Sequence, residues 1–466
     1  MTSRAVPANA PTATFRVCEK RARKLSKVQV IRLGEDIEVD ATTLSEYCFR
    51  QSDGLAYDLM TLIGAVKFAD RMLRRQHAKT WARHLHIEIP VFRPNAWLLP
   101  SVHDTLVQCL NYLTGDGWSF TFVERAGEAP ALQQSPLHEI SLGNRDIVFV
   151  PFSHGLDSYG QVRLLKLAQP ETEVVCVYAD ARAAGGHRGA LKRKRMAGIQ
   201  YVGVPVKVKR FRHPEGSFRS RPFMFYLLAS LGAIESGANR VMIPENGQGS
   251  IGGSLVTTGH EPKHRSCYPG FTSRLSKFLA ALTGTQLEFY HPALFDTKGV
   301  MLRALSESGE DVRAILKTHR SCSCDARTAS RDGRMFHCGV CGNCLLRRAA
   351  ERCAQLEGAT DYLFSDLTSK TLEGGLRPGD GQVKFGFFSD LARNSARDMQ
   401  RLADFGSAPH HRVAQVTAID LARFAGGDIA QTSSNLTGLL RQHALEWNDF
   451  LAACGEDSWI SKIARG

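Results

Sequence analysis

"DIVFVPFSHGLDSYG" occupies residues 146–160. Residues 147–152 form an unbroken apolar, β-rich run, which reads as a strand buried on both faces. Small and polar residues follow at once, and a helix is expected over 157–168. Outward from this unit the rhythm repeats. Apolar runs stand at 173–178 (EVVCVY), 201–209 (YVGVPVKVK), 240–243 (RVMI) and 286–290 (QLEFY), with helix-like stretches at 219–236 and 270–283. Buried strands alternating with helices imply an α/β fold, a doubly wound parallel sheet covered on both faces. Ligands of such sheets sit beyond the carboxyl ends of the strands, where the 153–158 turn is expected.

Ser153, Gly155, Asp157 and Ser158 combine a small-residue turn with a helix start. Backbone N–H groups at such a turn point outward, the helix N-terminus adds partial positive charge, and the two hydroxyls can donate as well. This is chemistry for a phosphate. The alternative is an ordinary strand-to-helix turn capped by serine or by Asp157. It is not a Walker A loop, because no G-K-[ST] follows. His154 stands where glycine would be easier. If that position needs positive φ, a non-glycine residue costs ~1–2 kcal/mol, although His enters this region more readily than β-branched residues do.

Five of the twelve cysteines fall between 322 and 344. Cys338, Cys341 and Cys344 form C-x2-C-x2-C, a spacing at which successive thiolates converge on one cation. The fourth ligand is Cys322 or Cys324. Four thiolates at ~2.3 Å make a closed structural Zn²⁺ site with no open position for chemistry. An iron–sulfur cluster or a set of buried free thiols are the other readings. Gly339 and Gly342 suit tight turns between the ligands.

The 466 residues are 43% apolar, with Lys plus Arg at 59 against Asp plus Glu at 46, a net charge of +13. That length implies two or three domains. The charge suits polyanionic partners, or else a solvated basic surface; it is concentrated at 16–27 and 191–213. Nucleic acid is compatible with it but not required. No apolar core follows Met1, and the longest apolar run, 223–234, is too short to span a bilayer. A cytoplasmic protein without membrane association is expected, its cysteines serving as thiols or metal ligands rather than disulfides. The first 14 residues read as disordered. A strand at 27–38, a helix at 53–77 and strands at 85–92 and 115–125 suggest an N-terminal α+β domain over 1–145. The phosphate loop and cysteine cluster share 146–358, and a polar, mostly helical C-terminal segment covers 359–466.

Two motifs carry a family resemblance. SHGLDS (153–158) resembles the SGGxDS loop of the N-type ATP pyrophosphatases, with His154 in place of a glycine. HCGVCGNCLLRR (337–348) resembles the CGxCxxC-x2-R zinc motif of the 7-cyano-7-deazaguanine synthase (QueC) family, with Arg347 at the family's arginine. The family's first ligand follows a serine in a T-x-S-C-like run, which THRSC (318–322) fits, so the resemblance implies Cys322 as the fourth ligand. The resemblance covers about 146–355. The long architecture looks like the QueC-like proteins of bacterial anti-phage systems of the Qat and type IV CBASS types.

The resemblance implies an adenine nucleotide alpha hydrolase-like fold and an ATP-dependent carbon–nitrogen ligase. The carboxylate of 7-carboxy-7-deazaguanine would become an adenylate, then meet ammonia, or an amine of a protein substrate from the same defence operon. ATP, Mg²⁺ and Zn²⁺ are the implied cofactors. Phe152, Ser153, His154, Gly155, Leu156, Asp157 and Ser158 would hold the pyrophosphate of ATP, with Asp157 also holding Mg²⁺ through water. Asp157, Lys298 and His154 would act in catalysis, Lys298 (FDTKGVML) by neutralising phosphate charge or else as a solvated lysine. Asp180 (VYADAR) would meet ribose or adenine, or cap a helix. Arg221, which opens a run like the family's R-N-x-x-F helix with Pro222 in place of asparagine, would also contact the nucleotide. Glu245, Asn246 and Gly247 (MIPENGQGS) would read the purine-like base, or form a surface turn. Cys267 reads as a packed thiol. An ATP-dependent tRNA-modifying enzyme and a catalytically inactive nucleotide-binding scaffold are the alternatives.

Overall fold

The computed structural model describes residues 7, 9–19, 27–40, 44, 54–127, 129, 146–180, 196, 198–257, 261–325, 328–379, 382–408 and 411–466. Much of both basic stretches, at 20–26 and 191–195, lies outside the described residues. The chain forms two units, each assembled from separated segments: 1–152, 171–243 and 257–290 in the first, and 153–170, 244–256 and 291–466 in the second.

The strands run in chain order as β1 (Thr12–Cys18), β2 (Val28–Arg32), β3 (Ile37–Val39), β4 (His84–Val91), β5 (Gly117–Glu124), β6 (Ile147–Pro151), β7 (Glu173–Asp180), β8 (Ile199–Val208), β9 (Arg240–Met242) and β10 (Glu288–Tyr290). These ten belong to the first unit, while β11 (Ser330–Arg331) and β12 (Arg334–Met335) pair antiparallel in the second. The larger sheet has the order β10-β9-β6-β7-β8-β3. Its first five strands pair in parallel, while β3 joins antiparallel at the edge, Ile37 opposite Val208. Every residue of β6 is buried, as a near-continuous apolar strand in a parallel sheet should be. The chain steps outward from β6 to β7 and β8, then returns to the other side of β6 for β9 and β10. The reversal falls between β6 and β9.

The smaller sheet corrects the α+β expectation. Its order is β2-β1-β4-β5, and every pairing among the described residues is parallel. β4 buries only alternate residues, Leu85, Ile87, Ile89 and Val91, and such one-faced alternation usually marks antiparallel strands. Parallel pairing requires crossovers, and the helices Leu55–Met72 and Pro100–Thr114 precede β4 and β5 in the chain. The second of these was not foreseen, although it starts with Pro100 and ends at Gly115 with φ 72°, the usual punctuation of a helix. Nor is the chain disordered up to residue 14: β1 begins at Thr12, is flanked by β2 and β4, and buries Phe15 and Val17.

Helix Leu55–Met72 follows its apolar spacing, with Leu59, Leu62, Ile63, Val66 and Ala69 buried. It stops before the expected residue 77 because Arg75 is drawn into a buried ion network. Asp116 accepts two hydrogen bonds from Arg75, at 2.6 and 2.8 Å, and one at 2.8 Å from Arg83 Nη2. Arg83 Nη2 also lies 2.5 Å from Asp70 Oδ1, and all four side chains are fully buried. Two acids and two guanidiniums balance, so deleting one charge strands another. Asp116→Asn is expected to destabilise the first unit by ~3–5 kcal/mol. A lowered denaturant midpoint, followed by the fluorescence of Trp81, Trp97 and Trp118 in that unit, checks this.

The second unit is mainly helical. Helices Phe385–Ser407, Arg412–Ala425, Ile429–Cys454 and Trp459–Arg465 fulfil the expected helical C-terminal segment. They are not a separate layer, since Phe388, Trp447, Phe450 and Ile460 share one hydrophobic cluster with Cys338, Cys341, Cys344 and Phe364. No helix among the described residues is long and apolar enough to cross a membrane.

Candidate functional site

The loop after β6 adopts the conformation its small residues allow. His154 has φ 58°, the left-handed region that costs a non-glycine residue free energy. Helix Leu156–Ala168 starts one residue earlier than expected, and its N-cap is Gly155 rather than serine or Asp157. Ser153 and Ser158 hydroxyls lie 3.1 Å apart, and Ser158 Oγ donates to the Gly155 carbonyl at 3.1 Å. The Gly155 N–H donates to Ser153 Oγ at 3.3 Å. Because the strain sits at one residue, His154→Gly is expected to stabilise the second unit by up to ~1 kcal/mol. His154→Val is expected to destabilise it by ~1–2 kcal/mol. Paired thermal melts check the opposite signs.

With its cap duty taken by Gly155, Asp157 serves a charged cluster. Lys298 Nζ lies 2.6 Å from Asp157 Oδ2, and Asn246 Nδ2 donates to Asp157 Oδ1 at 2.7 Å. Asn246 Nδ2 also donates to Glu245 Oε1 at 2.9 Å, so one buried amide bridges two carboxylates. Its Oδ1 accepts from Gly249 N at 3.0 Å, capping helix Gly247–Leu255. Burial pushes the Glu245 carboxyl up to about 8, with the Asp157 charge adding to the rise and Lys298 opposing it. Gly247 is required by packing: a Cβ there would lie 2.4 Å from the Leu294 carbonyl, and its N–H is bonded to the Asp296 carbonyl.

The lysine is held by residues that sequence reasoning missed. Lys298 opens helix Lys298–Glu307, capped by Thr297, and its N–H donates to Gln248 Oε1 at 2.9 Å. Gln248 Nε2 donates to His443 Nδ1 at 2.9 Å, and His443 Nε2 donates to the Met399 carbonyl at 3.1 Å. Accepting on one nitrogen and donating on the other requires a neutral imidazole, and burial lowers His443 to about 4. Thr297 Oγ1 donates to Glu446 Oε1. His443 and Glu446 lie on the C-terminal helix Ile429–Cys454, where no motif marks them.

Phe152, Asp180 and Arg221 belong to the first unit. Phe152 is buried edge-on to Tyr201, Asp180 ends β7 opposite Pro205, and Arg221 opens helix Arg221–Ser236 with its guanidinium over Phe225. Cys267 is partly buried against the core of that unit, a packed thiol as expected.

Cys322, Cys338, Cys341 and Cys344 bring their sulfurs within 4.8 Å of one another, which selects Cys322 over Cys324. Sulfurs ~2.3 Å from a tetrahedral ion stand ~3.8 Å apart, and Cys338 Sγ and Cys344 Sγ are 3.8 Å apart. The Cys338 and Cys341 amides donate to Cys322 Sγ and Cys338 Sγ, each at 3.3 Å, as thiolate ligands require. Gly339 has φ 90°, and a Cβ there would come 2.7 Å from the Phe364 carbonyl. The four thiols therefore fit a single zinc ion in a closed knuckle. Arg347, fully buried, donates to the His319 carbonyl at 2.8 Å and to Thr360 Oγ1 at 2.9 Å.

No family model matches the chain, and no curated protein matches it.

Proposed function

We propose that the chain is an ATP-dependent ligase that converts the carboxylate of 7-carboxy-7-deazaguanine into an adenylate and passes the acyl group to an amine, in bacterial anti-phage defence. The observation that carries this reading is the cluster in which Lys298 and Asn246 converge on Asp157, in the first turn of the helix that the SHGLDS loop opens, with Asn246 linking Asp157 to Glu245. A carboxylate resists nucleophiles until one of its oxygens becomes part of a good leaving group. Its oxygen attacks the α-phosphorus of ATP, and the bond to the β-phosphate oxygen breaks with release of pyrophosphate. The amine nitrogen then attacks the acyl carbon, AMP leaves with the bonding pair, and the amine gives up a proton. With ammonia the product is the amide, and a second adenylation removes its oxygen to give the nitrile.

Negative charge builds on the departing pyrophosphate, so a preorganised cation and aligned N–H groups favour the transition state. Lys298 supplies the cation. The Ser153 and Ser158 hydroxyls would exchange their internal hydrogen bonds for phosphate oxygens, and Asp157 with Glu245 would hold Mg²⁺, which screens phosphate charge. The zinc knuckle has no open position and serves structure. The fold class that this chemistry implies is the adenine nucleotide alpha hydrolase-like one, with which the strand order β8-β7-β6-β9-β10 is compatible.

The test incubates metal-replete protein with ATP, Mg²⁺, the deazaguanine acid and either ammonium or candidate acceptor proteins. Pyrophosphate release that depends on the acid, with an amide, a nitrile or a deazaguanine-sized mass increase on a protein, supports the reading. ATP retention without turnover marks a scaffold, and a mass change on tRNA alone marks a modification enzyme; either rejects it.

A further inference from the structure

The strained loop is also held from outside. His319 Nδ1 donates to the carbonyl of His154, the residue in the left-handed conformation, at 3.3 Å. The peptide is planar and trans, so fixing that carbonyl also fixes the opposite direction of the Gly155 N–H. The Leu156 N–H donates to the Arg320 carbonyl at 3.3 Å, and the His319 ring lies against Tyr159, centroids 4.0 Å apart. His319 and Arg320 thus grip the loop from behind, on a segment that reaches the metal ligand Cys322 two residues later. The other side of the knuckle grips the same segment. Arg347, three residues after Cys344, donates to the carbonyls of His319 and Leu316 and to Ser321 Oγ. Arg320 Nη2 donates to the Cys324 carbonyl at 2.8 Å.

We infer that His319 and Arg320 are positioning residues for the phosphate loop, and that through them metal held by Cys322, Cys338, Cys341 and Cys344 and nucleotide held by the loop strengthen each other's binding. The inference rests on the loop being the nucleotide site. Without metal, Cys322 Sγ keeps only its hydrogen bonds from the Cys324 and Cys338 amides, so the 319–322 segment loses its strongest anchor and holds the His154 carbonyl less firmly. Linkage makes the effect reciprocal: nucleotide that orders the loop retards loss of the ion.

The test uses the zinc-loaded full-length protein. ATP retention is measured first, then the rate at which a chromogenic chelator withdraws zinc with and without saturating ATP. A coupling of ordinary size slows release about 5-fold or more. His319→Ala is expected to keep its zinc, weaken ATP binding about tenfold and abolish the protection, within the same coupling range. His319→Asn, whose amide can donate from near the Nδ1 position, is expected to restore both. If ATP binds the parent protein and zinc leaves at an unchanged rate, the linkage is refuted while the nucleotide site stands. If metal-replete protein retains no ATP, the nucleotide reading falls and the linkage with it. The comparison on the parent protein decides the matter even if the alanine variant does not fold.

Discussion

Asp157→Ala is expected to lower acid-dependent pyrophosphate release by about 10²–10³-fold, the loss typical of removing one preorganised electrostatic group, while the protein stays folded and keeps its zinc. The side chain has no capping duty, because Gly155 is the N-cap. Its two oxygens instead receive Lys298 Nζ at 2.6 Å and Asn246 Nδ2 at 2.7 Å. Lys298 is nearly buried and Asp157 about one-seventh exposed (4% and 15%), so the substitution leaves a cation in want of a partner. Glu245, which shares the Asn246 amide with Asp157, is a second carboxyl beside the vacated position. The cost to stability should therefore be ~1–2 kcal/mol rather than that of an isolated buried charge. Asp157→Asn keeps the shape and discards the charge, and should be nearly as inactive. A coupled pyrophosphate assay beside a thermal melt reads both quantities. Turnover at the parent rate in either variant would remove the charged cluster from the chemistry.

Cys341→Ser is expected to have the opposite profile, abolishing metal binding and cooperative folding of the second unit together. Cys341 is both a member of the four-sulfur cluster and the N-cap residue of helix Gly342–Cys353. The cluster lies within the hydrophobic core that includes Phe364, Phe388 and Trp447. Four-thiolate zinc contributes ~10–16 kcal/mol in small metal-folded peptides, comparable to the whole stability of a typical domain, ~5–15 kcal/mol. Even a fraction of that contribution exceeds what the packed helices can replace. Zinc content by elemental analysis should fall to near zero, and the near-ultraviolet signal of Trp447 and Trp459 should lose its sharp transition. Prolonged chelation of the parent protein should reproduce both. A Cys341→Ser protein that melts like its parent would show the cysteines to be ordinary core thiols. The two substitutions also separate the sites: one removes chemistry and retains metal, the other removes both.

Chemistry that depends on spacing within one element is legible in the amino-acid sequence. The apolar run 147–152 forms the buried strand β6, and the C-x2-C-x2-C spacing gives three converging sulfurs. The expectation of strain at His154 is met, because a turn of this shape needs one residue at positive φ. The sheet over the N-terminal residues misleads, because β4 and β5 are covered on one face and alternate like antiparallel strands.

The amino-acid sequence by itself determined the parallel strands of the larger sheet, several of the helices, the loop and the metal-binding spacing, since each follows from local backbone periods and the residues that start or stop them. Only the tertiary structure decided that Cys322 and not Cys324 completes the knuckle, that Lys298 meets Asp157 across 141 residues, and that Gln248 meets His443 across 195. Those choices depend on how separate segments pack around one core, and no short-range pattern encodes the distance between residues so far apart in the chain.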